Sequence, residues 1–72
     1  MTPEQFKTWR KRHFRSQQAA ADALGLSRDT VVNYEAGRRR DSDQPVEIPR
    51  TVELACAAIE EGITGYVEPS AG

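Results

Sequence analysis

Residues 17 to 35, QQAAADALGLSRDTVVNYE, constrain the fold more than any other stretch of the chain. Ala19, Ala20, Ala21 and Ala23 favour helix and leave so little bulk on its surface that another helix can cross at close range. Gly25 follows at the point where a helix end commonly turns left-handed, a conformation that glycine takes without steric cost. Ser27 then suits the N-cap of a second helix, and Asp29 places negative charge in its first turn, where the helix dipole favours it. The stretch predicts two short helices joined by a tight turn at Gly25-Leu26-Ser27, with Leu26 plugging the corner.

The second of these helices divides into two faces by its periodicity. Val31, Tyr34 and Glu35 share one side, which packs, whereas Arg28, Asp29, Val32 and Asn33 share the other, which is free to read a partner. Gly37 ends it, and Arg38-Arg39-Arg40 follows at once.

Upstream, Thr2-Pro3-Glu4-Gln5 opens a helix: Thr2 caps, Pro3 suits a first turn that needs no amide donor, and Gln5 completes a capping box. This helix runs to about His13. Phe6, Trp9, Arg10 and His13 recur at helical spacing and form an inward stripe. Arg10 is the odd member, because a charge on an apolar stripe is costly unless paired, so it requires a carboxylate from elsewhere in the fold. His13, the single histidine, has no catalytic companion and is assigned no chemistry. Phe14 and Arg15 leave the helix, and Ser16 caps the next one.

Downstream, Asp41 to Glu47 reads as a polar connector with no pattern of its own. A last helix is expected from near Pro49 to just before Gly62, with Val52, Leu54, Ala55, Cys56, Ala58 and Ile59 on its apolar side. Cys56 there fits a small core filler rather than a reactive thiol, since apolar burial suppresses the thiolate. Ile63 to Val67 suits either a brief strand or an extended arm that pairs with a partner chain, and residues 69 to 72 are expected to lack fixed structure.

At 72 residues the chain makes one small domain over residues 1–62 with an arm over 63–72. Chains of this size bury only about 60% of the surface exposed when unfolded, so a second copy would help. A single cysteine rules out an internal disulfide, and no Cys/His zinc spacing occurs, so neither metal nor cofactor is expected. The N-terminus lacks the apolar core of a signal peptide and no apolar run is long enough for a bilayer, so a cytoplasmic protein without membrane contact is expected. The net charge of −1 hides a division: residues 1–40 carry nine Lys and Arg against four acids, whereas residues 41–72 carry Arg50 against seven. Such asymmetry turns one half towards a polyanion, unless the two faces merely attract each other.

Taken together, these residues resemble the Cro/repressor (XRE-like) helix-turn-helix family of phage and bacterial regulators. The resemblance covers Phe6 to Gly37 well and Pro49 to Ile59 loosely. It is carried by Gln17 at the start of the second helix, Ala20 and Ala21 at the close contact, Leu24-Gly25-Leu26 at the turn, and Val31 and Tyr34 in the third helix. It implies an all-α fold of four helices, with a fifth as the variant. An arginine late in the first helix and a glutamate at the end of the reading helix commonly pair in that family, and Arg10 and Glu35 stand in the matching places.

By the same resemblance Gln17 would bond a phosphate, helped by the amides at its helix N-terminus. Arg28, Asp29, Val32 and Asn33 would face base edges: Arg28 can fork onto guanine, Asn33 onto adenine, and Val32 can touch a thymine methyl. Asp29 either accepts from cytosine or only stabilises the helix start or orients Arg28. Arg38, Arg39 and Arg40 would grip phosphates. The chain departs from the family pattern after Arg40, where the connector looks longer and no clear fifth helix follows. A dimer is still expected, through Val52, Ile59, Ile63, Tyr66 and Val67.

The resemblance implies a sequence-specific double-stranded DNA-binding transcriptional regulator, a homodimeric repressor of a short palindromic operator, its own among the candidates. Regulators of this build occur in phages, mobile elements and toxin-antitoxin operons, and control of an anti-CRISPR operon is a narrower case. The competing reading is a protein-interaction module, such as an antitoxin that holds a toxin, with DNA contact secondary. No paired carboxylates, metal cluster or nucleophile with its base suggests an enzyme, and no small-molecule ligand is evident.

Overall fold

Thr2 begins the structure as the sequence leads one to expect. Its hydroxyl accepts from the Gln5 amide at 3.1 Å while the Gln5 side chain accepts from the Thr2 amide at 2.8 Å, which satisfies two amides of the first turn reciprocally. The computed structural model describes residues 1–69, so the expectation for residues 70–72 lies outside the described residues. Four helices follow in order: α1 (Pro3–His13), α2 (Gln17–Leu24), α3 (Arg28–Ala36) and α4 (Arg50–Glu60).

Each boundary has a local cause. Ser16 accepts from the Ala19 amide at 3.0 Å and Ser27 from the Thr30 amide at 3.1 Å, so α2 and α3 both start on a serine cap. Gly25, at φ 70°, ends α2, and the Leu26 amide reaches back to the Ala21 carbonyl at 2.9 Å. That bond closes a Schellman turn and reverses the chain sharply enough to bring α3 across α2. Gly37, at φ 75°, ends α3 with its amide on the Asn33 carbonyl at 2.8 Å.

The core is built where α1, α2, α3 and α4 meet: Phe6, Trp9, Ala20, Ala21, Val31, Tyr34, Val52 and Cys56 are buried. Phe6 touches Trp9 and Tyr34 with ring centroids 5.6 Å apart in each case. Ala20 and Ala21 have no exposed surface, and their small size is what allows this close approach of α2. Trp9 Nε1 donates to the Cys56 carbonyl at 3.1 Å, so the indole packs in the core with its polar atom satisfied and ties α1 to α4. A second tie is polar and exposed: Glu60 Oε2 lies 2.8 Å from Arg12 Nη2 and 2.6 Å from His13 Nε2. Hydrogen bonds from Arg12 and then His13 hold the Glu60 carboxyl below its ordinary range. Cys56 is 1% exposed, and desolvation pushes its thiol up to about 11, which fits the core-filler role.

Two expectations need correction, and a third narrows to one of its alternatives. The connector expected over Asp41 to Glu47 is not patternless, because its first part folds back on the arginine run: Arg38 and Pro45 form an isolated antiparallel bridge, the Arg39 amide donates to the Gln44 carbonyl at 2.8 Å, and the Asp43 amide donates to the Arg39 carbonyl at 2.9 Å. The segment is a small hairpin turn, which satisfies internally the backbone groups that a loose connector would leave to solvent. Val52, expected at a dimer surface, lies in the core at 9% exposure, because it shares with Cys56 the side of α4 that faces α1. Of the two alternatives for Ile63 to Val67 no strand forms: the Ile63 amide bonds the Ala58 carbonyl at 2.8 Å, and Ile63, Thr64 and Gly65 line a concavity with Phe14, Ala55, Ala58 and Ile59. Among the described residues no helix is long and apolar enough to cross a membrane.

Candidate nucleic-acid interface

The α2-turn-α3 unit presents one continuous outer surface. Ser16 and the cap it forms leave the amides of Gln17 and Gln18 without intrahelical acceptors, so the N-terminus of α2 offers donors and the positive end of its dipole. Gln17 itself is half-buried there. The start of α3 is arranged alike, with Ser27 Oγ bonded to Thr30 Oγ1 at 2.8 Å and the Arg28 and Asp29 amides open.

Along α3, Val31 and Tyr34 are buried, and Glu35 is turned towards α1. Arg28 and Asp29 are exposed, while Val32 and Asn33 are half-buried at the edge of the same outward side. The four residues expected to read bases therefore share a face that the monomer leaves open. Arg28 has no ion-pair partner among the described residues, so its guanidinium is available to an outside acceptor.

Arg10 and Glu35 lock the unit from behind. Arg10 Nε donates to Glu35 Oε2 at 2.9 Å and Nη2 to Oε1 at 3.0 Å, a parallel fork between side chains only 12% and 6% exposed. The hydrogen bond to Glu35 holds the Arg10 guanidinium above its ordinary pKa, against the opposing effect of desolvation. The charge that interrupts the apolar stripe of α1 thereby fixes the end of α3.

The arginine triplet is placed beside the α3 face by the hairpin. Asn33 Oδ1 accepts from the Arg40 amide at 3.3 Å, a link across the end of α3 that spacing alone does not reveal. Asp29, Asn33, Arg39, Arg40 and Asp41 line one open concavity between helix and hairpin. Arg38 and Arg39 lie near acids of their own loop, with Arg38 Nε 3.3 Å from Asp43 Oδ1 and Arg39 Nε 3.6 Å from Asp41 Oδ1. Sequence reasoning passed over Asp41, Asp43 and this role of Asn33; the available signal was two aspartates and a proline within five residues of an arginine run, a turn composition.

Beyond α4, Ile63, Tyr66 and Val67 are exposed, the last two at 88% and 83%, and Ile59 within α4 is half-buried. Leu54, at 52%, is an exposed large apolar residue of α4. Among the described residues no group of three His, Cys, Asp or Glu side chains stands ready to hold a metal.

Comparison with known proteins agrees with this geometry. The family profile described as a helix-turn-helix domain matches residues 4–61, which span all four helices. No curated protein matches the chain, and neither does any solved structure. With its two serine-capped helices joined at Gly25 and a profile match over most of its length, the chain belongs to the helix-turn-helix family of DNA-binding domains.

Proposed function

We propose that this helix-turn-helix domain is a sequence-specific reader of double-stranded DNA that acts as a homodimeric repressor on a short palindromic operator. The observation that carries the reading is the outward face of α3, where Arg28, Asp29, Val32 and Asn33 stand exposed or half-exposed on a helix held from behind by Val31, Tyr34 and the Arg10–Glu35 fork. In this reading α3 enters the major groove with its N-terminal end leading. Arg28 forks onto guanine, Val32 meets a thymine methyl, and Asn33 faces adenine with its amide donors while its oxygen holds the hairpin. Asp29 stabilises the helix start and accepts from cytosine where one is present. Gln17 and the open amides of α2 take one phosphate, and Arg38, Arg39 and Arg40 grip the neighbouring backbone. The reading requires no cofactor and no catalysis.

One reading helix offers few base contacts, and two-fold pairs read half-sites about 34 Å apart. The exposed Ile63, Tyr66 and Val67 with Ile59 and Leu54 are the surface through which two copies pair. The same apolar arm favours a second reading, in which it holds a different protein, such as a toxin, and DNA contact is secondary.

Selection from random duplexes at moderate salt separates these readings. An enriched motif is expected, and Arg28→Ala should relax preference at one base pair by about 1–3 kcal/mol while Arg38→Ala lowers the salt dependence of binding by about one charge. Failure to enrich any sequence would sink the specific-reader proposal.

A further inference from the structure

We infer that Asp41 and Asp43 set the affinity of the DNA interface by occupying, in the free protein, the guanidinium positions that backbone phosphates take in the complex. The inference rests on the proposed reading of the α3 face and goes one step further, because it assigns a function to two acids that a DNA-binding surface would ordinarily avoid.

The geometry carries it. The hairpin is closed by the Arg38–Pro45 bridge and by the Arg39–Gln44 and Asp43–Arg39 backbone bonds, so Arg38, Arg39, Asp41 and Asp43 are held on one short turn. Arg38 Nε stands 3.3 Å from Asp43 Oδ1 and Arg39 Nε 3.6 Å from Asp41 Oδ1. A carboxylate and a phosphate present the same thing to a guanidinium, paired anionic oxygens. The hairpin is fastened to the α3 face by Asn33 and the Arg40 amide at 3.3 Å, and Asp41 lines the same concavity as Asp29, Asn33, Arg39 and Arg40. An approaching duplex therefore meets Arg28 and Arg40 unpaired and Arg38 and Arg39 already paired, among the described residues.

Binding then proceeds as an exchange at the hairpin. Phosphate oxygens displace Asp43 from Arg38 and Asp41 from Arg39, and the displaced carboxylates turn into solvent or are repelled by the backbone. Each pair is exposed on both sides, with side chains 66% and 80% exposed for Arg38–Asp43 and 56% and 75% for Arg39–Asp41. Exposed pairs are weak enough to yield and strong enough to register. Any duplex meets the same cost, which lowers affinity for all sites alike and leaves discrimination between them to α3.

The test is Asp41→Asn/Asp43→Asn in the whole chain. Asparagine suits position 43, where φ is 58°, because it tolerates the left-handed conformation. The comparison protein is Glu4→Gln/Glu47→Gln, which removes the same two charges at exposed positions outside the arm and breaks no ion pair among the described residues. Dissociation constants for a random-sequence duplex are measured at low salt by fluorescence anisotropy, with thermal melts to establish that both variants fold. The hairpin variant is expected to bind about three- to tenfold more tightly than wild type and at least threefold more tightly than the charge-matched comparison. Equal tightening of both variants would reduce the effect to net charge and overturn the inference. Unchanged or weaker binding by the hairpin variant would overturn it as well, because the acids would then orient the arginines rather than compete for them. A wild-type chain that binds no duplex at all would remove the DNA reading itself, and the inference with it.

Discussion

Arg10 concentrates at one residue the argument that runs through the fold. A guanidinium on an apolar helix face is expensive to desolvate, and the chain resolves this by placing Glu35 at the end of α3 in a parallel fork at 2.9 and 3.0 Å. Removing one partner is therefore costlier than removing both. Arg10→Ala is expected to destabilise the domain by about 3 kcal/mol in urea denaturation, since it leaves the Glu35 carboxylate nearly buried and alone. A double replacement by apolar residues of similar size, Arg10→Met/Glu35→Leu, should recover most of that loss. A wild-type unfolding midpoint for Arg10→Ala would overturn the pairing as a stabilising contact.

At the scale of elements, the turns hold more of the design than the helices do. Gly25 and Gly37 share a left-handed backbone, at φ 70° and 75°, but not the same surroundings. A Cβ at Gly25 would meet nothing within 4 Å, whereas one at Gly37 would stand 3.0 Å from Pro3 Cγ. Gly25→Ala is thus expected to cost about 1 kcal/mol from backbone strain alone. Gly37→Ala should cost measurably more, because it also pushes α3 from the start of α1; equal thermal shifts for the two would contradict that contact. Helix positions and caps were legible in the sequence because Thr2, Ser16, Ser27, Gly25 and Gly37 act through bonds to residues only a few positions away. The orientation of α4 was not. Val52, Leu54, Ala55, Cys56, Ala58 and Ile59 make an apolar band so broad that periodicity cannot choose its inward part, and only docking against Phe6 and Trp9 puts Val52 and Cys56 inside and Leu54 outside. The hairpin stayed hidden for a related reason: its bridge joins Arg38 to Pro45, and neither belongs to an alternating pattern that marks a strand.

For the molecule as a whole, the positive first half and the acidic second half divide the labour. The outward side of α3 and the hairpin carry Arg28, Arg38, Arg39 and Arg40, while Glu60 is engaged by Arg12 and His13 of α1, and Glu61 and Glu68 flank the apolar arm in sequence. The proposed dimer places that arm between two copies and leaves both α3 faces for DNA. Tyr66→Glu/Val67→Glu should leave the melt of the dilute protein near wild type, since both side chains are almost fully exposed. In sedimentation at micromolar concentration the wild type is expected as a dimer and this variant as a monomer. A strictly monomeric wild type would overturn the two-half-site arrangement while leaving the α3 face untouched.

Trp9 is the single indole of the chain, and its hydrogen bond to the Cys56 carbonyl spans the sequence from α1 to α4. With Phe6, His13 and Phe14 around it and only 3% of its surface in contact with solvent, it is a built-in optical gauge. Its emission is expected to report the closing of α4 over the core, where its hydrogen-bond partner lies, and to change little when the outward side of α3 is occupied. Folding and DNA binding thus speak through separate channels, and one cuvette without any added label can follow the first while the second proceeds.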